Sequence, residues 1–344
     1  MVMFVDVAHM RGWMAEHGVE TLIADLIPHL EEDFRRWPEF DKVARIASHS
    51  PVGVIELMPV ADSHEYGFKY VNGHPFNPRS GRQTVTAFGV LADVQTGYPV
   101  LLAEMSLLTA LRTAATSAMA ARALARPGSR VHALLGAGSQ SEFQAVAMRA
   151  AVGADRVRVW DTDPDAIDKF LRHAATLGIE ATRASSAVDA VAGADIVTTC
   201  TADKANATIV TDAMVEPGMH LNAIGGDCPG KTELDAAILH RASTFVEYEP
   251  QTRIEGEIQQ VPADHPVTEL WRVLTDAAPG RTSPDQITVF DSVGFAVEDR
   301  AALRFLRDSV AGTAHCTDID LVAEPRDPKD LFSLVSPALA ASRV

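Results

Sequence analysis

The residues of this chain best placed to do chemistry lie in a glycine turn, Gly136-Ala-Gly138-Ser-Gln-Ser141. The turn follows the apolar run Val131–Leu135 and opens an amphipathic segment, Glu142 to Ala151. Strand, glycine turn and helix in that order form the unit that binds a dinucleotide. Gly136 permits the tight turn, and Gly138 lets the backbone approach a pyrophosphate whose charge the helix N-terminus favours. Ser141 stands where a third glycine or alanine is usual, and an ordinary turn with Ser139 and Glu142 as a capping box would read similarly. Asp161 tips the balance. It closes the next apolar run, Val157–Trp160, at the separation where an acid takes the adenosine ribose hydroxyls. Because an acid there repels a 2′-phosphate, the expected cofactor is NAD rather than NADP. Asp163 and Asp165 read as turn and helix-start residues.

Such a turn needs a frame of strands and helices. From Val131 onward, apolar β-type runs recur at Val131–Leu135, Val157–Trp160, Asp195–Thr199, His220–Ile224, Thr244–Val246 and Ile287–Phe290, most separated by helical segments. That alternation predicts an α/β fold with a Rossmann-type parallel sheet and crossover helices. The first third reads differently. Val19 to Arg35 has helical apolar spacing, whereas Val52–Met58, Gly67–Val71 and Thr84–Leu91 are extended, with a hairpin turn at Asp93–Tyr98. This is an α+β unit. One long helix, Ser106 to Ala125, ends at Pro127-Gly128 and marks a boundary. A further helix over Val297 to Val310 precedes a tail expected to return to the first unit. The expected division is 1–125 with 310–344, and 126–309 as the NAD-binding unit.

The 344 residues suit two domains, and 47% hydrophobic with 22% charged residues is ordinary for a globular chain. Lys and Arg number 30 against 46 Asp and Glu, and the net charge of -16 makes nucleic acid and anionic membranes poor partners. No window reaches the ~18 uninterrupted apolar residues of a membrane span. Cys200, Cys228 and Cys316 have neither disulfide-framework nor zinc spacing, so a reducing cytoplasm is the expected compartment. The N-terminus has no basic leader and is not read as a signal peptide. His74 reads as a turn histidine. Glu255 and Glu257 lack the oxygen-rich loop a metal needs, and no metal is expected.

Several charged residues ask for a reason. Lys69 lies inside an apolar strand, and Arg112 sits mid-helix among Ala, Thr and Leu, where it must snorkel outward or find an anion. Asp227 follows the run His220–Ile224, at the strand end where open α/β sheets do chemistry; an ordinary turn Asp would fit equally well. Arg45 and Glu56 alone would pass for surface charges.

The stretches around Arg45, Glu56–Pro59, Phe68–Pro75, Leu111–Ala114, Gly225–Leu234, Val246–Glu257 and Phe290–Phe295 occur in an order that resembles the ornithine cyclodeaminase and mu-crystallin family, closest to its bacterial members. The likeness spans nearly the whole chain. It implies that Arg45, Lys69 and Arg112 bind an amino-acid carboxylate, with Arg112 also reaching the cofactor, and that Asp227 is the catalytic acid/base. Glu56 would be a second carboxylate for the distal amine, and Val293 would lie near the substrate. Thr84, Ser139, Gln140, Thr201, Asn222, Lys231 and Ser292 would join Gly136, Gly138 and Asp161 around NAD. The implied reaction converts L-ornithine to L-proline and ammonia with no net redox change. A homodimer formed through the strands of the first, substrate-binding unit is also implied. An imine reductase or amino-acid dehydrogenase on the same fold, or a crystallin-like ligand-binding protein, are the alternatives. Loss of Lys69, Arg112 or Asp227 would favour the last, and all three are present.

Overall fold

Two eight-stranded sheets carry the chain in the computed structural model, which describes residues 1–202 and 207–336. The first part runs β1 (Val2–Val5), α1 (Val7–His17), α2 (Val19–Arg35), β2 (Asp41–Lys42), β3 (Ile46–Ser50), β4 (Gly53–Ala61), β5 (Glu65–Gly73), β6 (Val85–Asp93), β7 (Pro99–Glu104) and α3 (Ser106–Leu124). The second runs β8 (Val131–Leu135), α4 (Ser141–Val152), β9 (Arg156–Trp160), α5 (Pro164–Leu177), β10 (Glu180–Arg183), α6 (Ala187–Val191), β11 (Ile196–Thr199) and β12 (His220–Ala223). It continues through α7 (Ala236–Arg241), β13 (Ser243–Val246), α8 (Glu249–Glu255), β14 (Thr268–Glu269), α9 (Leu270–Leu274) and β15 (Thr288–Asp291). Helix α10 (Ala296–Val310) and strand β16 (Thr317–Ile319) follow.

The second sheet has the order β10-β9-β8-β11-β12-β15-β13-β14, with every pair parallel. Strands β11, β12 and β15 are buried throughout, so their residues do not alternate between core and solvent, and polar side chains among them bond to one another, as His220 does to Thr288. Chain order reverses between β8 and β11, so the crevice for a ligand lies at their carboxyl ends.

The first sheet, β16-β1-β7-β6-β5-β4-β2 with β3 also paired to β4, is antiparallel except where β1 meets β7. Its strands alternate: Met58, Lys69 and Gly89 stand in register on the covered face, and Leu57, Tyr70 and Phe88 on the other.

Helix α10 moves the expected boundary. It packs on α2, α3 and β4 to β6 rather than on the parallel sheet, so the chain returns to the first unit before residue 310. Gly89 lies beneath it: a Cβ there would stand 2.2 Å from Met105 Sδ and 3.0 Å from Leu303. Strand β16 then pairs with β1, and 337–344 of the expected tail lie outside the described residues. Strands β1, β10, β14 and β16, each two to four residues long, are too short to show a period in sequence.

Candidate active site

Gly136 ends β8 with φ +109°, and an added Cβ would stand 2.8 Å from the Cys200 carbonyl at the end of β11. Conformation and space both exclude a side chain there. A Cβ on Gly138 would meet nothing within 4 Å, so this stretch of backbone faces open space. Asp161 lies across the turn: its Oδ2 accepts from the Ala137 N–H at 2.7 Å, and Oδ1 from the Asp163 N–H at 2.9 Å. The capping box of Ser139 and Glu142 does not form. Ser141 Oγ donates to the Gly138 carbonyl at 2.7 Å, and Glu142 pairs with Lys169 at 2.9 Å. A groove of about 530 Å³, lined by Gly138, Ser139, Phe143 and Lys169, opens beside the turn. An open glycine backbone, a helix N-terminus, a lysine and a fixed acid are the groups a pyrophosphate with its ribose requires, so the residues present fit NAD.

The first unit supplies a second set of charged residues. Lys69 projects from β5, Arg112 from α3 and Arg45 from the segment before β3, and all three side chains are buried. Lys69 Nζ donates to Asp299 Oδ1 at 2.8 Å. Arg112 Nη1 donates to Glu298 Oε2 at 2.7 Å, and its Nε lies 2.9 Å from Asp299 Oδ1. Arg45 bridges the two units. Its Nη1 donates to Glu56 Oε2 at 3.2 Å, its Nε lies 2.9 Å from Glu255 Oε2 on α8, and its Nη2 donates to the Val293 and Gly294 carbonyls at 2.5 and 2.8 Å. Burial, then the neighbouring Arg112, pushes the Lys69 pKa down to about 8, against the pull of Asp299. Glu255 is pushed up to about 7 by burial, with Glu56 and Asp227 adding to the rise and Arg45 opposing it. The cleft therefore has a basic pole at Lys69 and Arg112 and an acidic pole at Glu56, Glu255 and Asp227, with Arg45 between them.

Asp227 sits on the loop after β12, where its side chain stays 54% exposed and Oδ1 accepts from Lys231 Nζ at 3.3 Å. Lys231 Nζ also donates to the Thr201 carbonyl at 2.9 Å, tying this loop to the end of β11. The two glycines before Asp227 are there because carboxylates crowd them. A Cβ on Gly225 would lie 2.0 Å from Glu233, and one on Gly226 would lie 2.8 Å from Glu257. Glu233 accepts from the Thr201 N–H and hydroxyl. Glu257 accepts from the Glu233 and Leu234 N–H groups, and Asp291 from those of Glu257 and Ile258. This succession of buried acceptors holds the floor of the site by satisfying loop N–H donors. Glu247 acts likewise for the next loop, accepting from Ser292 Oγ at 2.5 Å and the Gly294 N–H at 3.1 Å.

The sequence pattern of the ornithine cyclodeaminase/mu-crystallin family matches residues 8–314. The chain belongs to that family. An ornithine cyclodeaminase of Agrobacterium fabrum is 58% identical over 335 residues, spanning 97% of this chain and 95% of that protein. Among solved structures, a lysine cyclodeaminase described as recognising L-lysine, L-ornithine and L-2,4-diaminobutyric acid superposes with a TM-score of 0.89 at 32% identity, covering 96% of this chain and 98% of that one. An archaeal alanine dehydrogenase dimer with bound NAD superposes with a TM-score of 0.84 at 29% identity, over 93% and 99%. The α/β fold expected from sequence is thus the fold of this family.

Within the family frame, the structure brings Arg45, Glu56 and Val293 into one cluster, Lys69 and Arg112 into a second, and Asp227, Lys231 and Thr201 into a third. Ser139, Gln140 and Asp161 surround the glycine turn, with Gln140 at the N-cap position of α4 but making no side-chain cap. Ser292 is held by Glu247 beside Val293. Asn222 is enclosed within the sheet, its Oδ1 3.1 Å from His220 Nε2. Thr84 precedes β6 on the other sheet, and among the described residues no hydrogen bond joins it to the glycine turn. The sequence reading missed Glu247, Glu298, Asp299 and Lys169, and considered Glu255 only as a metal ligand. Glu298 and Asp299 carried a signal of a kind, but acids in the first turn of a helix are common enough to pass as ordinary.

Proposed function

We propose that this chain is an NAD-dependent, cyclising ammonia-lyase that converts L-ornithine to L-proline and ammonia. The observation that carries the reading is the division of one cleft into a basic and an acidic pole, which suits a ligand bearing a carboxylate at one end and an amine at the other. The 58% identity with a named ornithine cyclodeaminase supports it. Lys69, Arg112 and Arg45 orient the carboxylate, and Glu56, with Glu255 behind it, receives the distal ammonium. NAD bound at the glycine turn supplies the acceptor for the Cα hydride and later its donor. Between those two transfers the distal amine must lose a proton to attack Cα, and the departing α-amine must gain one. Asp227, exposed on its loop at the acidic pole, serves both. Holding the chain folded gives ring closure its proximity advantage.

Incubation with L-ornithine and substoichiometric NAD tests this. Proline and ammonia should appear in equal amounts, exceeding the cofactor, without net NADH. Accumulating NADH with an oxidised product would instead make the chain a dehydrogenase.

The reading includes a homodimer. Ile55, Leu57, Tyr66 and Phe88 are exposed on the uncovered face of β4 to β6, an apolar surface that a second copy would cover. Sedimentation should give twice the chain mass, and Leu57→Glu should halve it; a wild-type monomer at micromolar concentration overturns the assignment. Among the described residues no helix is long and apolar enough to cross a membrane and no disulfide forms, and we assign the chain to the cytoplasm.

A further inference from the structure

The basic pole has an anchor that the proposed chemistry does not use. Asp299, in the first turn of α10, places its Oδ1 2.8 Å from Lys69 Nζ and 2.9 Å from Arg112 Nε, and its side chain is buried. Among the described residues Asp299 is the hydrogen-bond partner of the Lys69 ammonium, which leaves two of that ammonium's three N–H donors. Arg112 spends one Nη1 hydrogen on Glu298 and directs Nε toward Asp299, which leaves the second Nη1 hydrogen and both on Nη2. One oxygen thus holds two like charges side by side and sets which of their donors remain for a ligand.

We propose that Asp299 is a positioning residue for substrate-carboxylate binding, gripping Lys69 and Arg112 with a single oxygen so that their remaining donors converge. The inference rests on the function proposed above. A second consequence is electrostatic. Lys69 is faced by Arg112 from α3, Arg45 from the segment before β3, and Asp299 and Glu298 from α10. Burial and the two arginines disfavour its charge, and Asp299 is its nearest compensation. Asp299 therefore keeps Lys69 protonated at neutral pH as well as in place.

The test is steady-state turnover of L-ornithine by the full-length protein with saturating NAD, across pH, for wild type, Asp299→Asn and Asp299→Glu. In Asp299→Asn the KM for ornithine should rise roughly tenfold or more. The alkaline limb of kcat/KM should move down by about one pH unit, with the NAD dissociation constant changed less than about twofold. Asp299→Glu keeps the charge but displaces the grip. Its alkaline limb should stay in place while KM rises several-fold, and this variant carries the test if Asp299→Asn does not fold. An Asn variant that loses thermal stability yet keeps the wild-type KM and limb, or a Glu variant with wild-type KM, would overturn the proposal. A wild-type protein that does not turn over ornithine would sink the functional reading itself, a separate outcome.

Discussion

Replacing Asp227 by Ala is expected to slow proline formation by roughly 10²–10⁴-fold, the usual contribution of a positioned acid/base, while NAD binding stays within about twofold. The selectivity follows from where the residue stands. Its loop is held from behind by Glu233 and Glu257, through contacts with the glycines before it and the N–H groups after it, and none of those contacts uses the Asp227 side chain. About half of that side chain is in solvent, so truncation opens no cavity, and the melting temperature should fall only by what the buried Lys231 loses with its ion-pair partner. Asp227→Asn, which keeps the shape and loses the proton, should be as slow as the Ala variant. Measured by ammonia and proline release, a variant retaining a tenth of wild-type kcat would move the proton transfer to another group. Glu255, which feels the Asp227 charge, would be the next to substitute.

A Lys69→Met variant should lose roughly 10²-fold in kcat/KM for ornithine, mostly through KM. That loss is about 3 kcal/mol in all, part of it because removing Lys69 leaves the buried Asp299 carboxylate with Arg112 alone. The same lysine sets a pH dependence whose sign is fixed. Its folded pKa lies below the ordinary lysine value, at about 8, and only the ammonium attracts a carboxylate. Wild-type kcat/KM should therefore hold below that pH and fall about tenfold per unit above it. Lys69→Arg offers the control. A guanidinium does not titrate in this range, so the limb near pH 8 should vanish even though the altered shape lowers the plateau. Persistence of the limb in the Arg variant would assign it to another group.

How much of this could be read from sequence depends on how local each requirement is. The glycine turn was legible because its demands are met within a few residues: a strand, a positive φ, an open backbone and an acid at the end of the next strand. Arg45 was not legible from its neighbours: Val43 and Ile46 are exposed and Ala44 and Ala47 half-buried, and none of them asks for a buried cation. What buries it, Glu255 and the Val293 and Gly294 carbonyls, is more than two hundred residues away in the other unit. Family resemblance supplied that assignment, and local physics did not. Helix α10 shows the same limit from the other side. Its period was plain from Val297 to Val310, but nothing in a helical period says which sheet it will cover. The 126–309 boundary therefore placed it with its chain neighbours, although its partners are β4 to β6. Asn222 was assigned to the cofactor by the resemblance alone, and its side-chain Oδ1 lies 3.1 Å from His220 Nε2 inside the sheet.

The route by which the chain returns to its first sheet also bears on synthesis. The parallel sheet is drawn from one uninterrupted stretch, β8 to β15, and can complete itself as it emerges from the ribosome. The first sheet cannot. Its covered face waits for α10 and its β1 edge for β16, and until then Lys69 and Arg112 have no counter-ion from Glu298 or Asp299 to offset their burial. A nascent chain halted before residue 296 therefore holds a finished cofactor fold beside an unfinished substrate wall, and the last helix to be made is the one that makes the cleft able to take an amino acid.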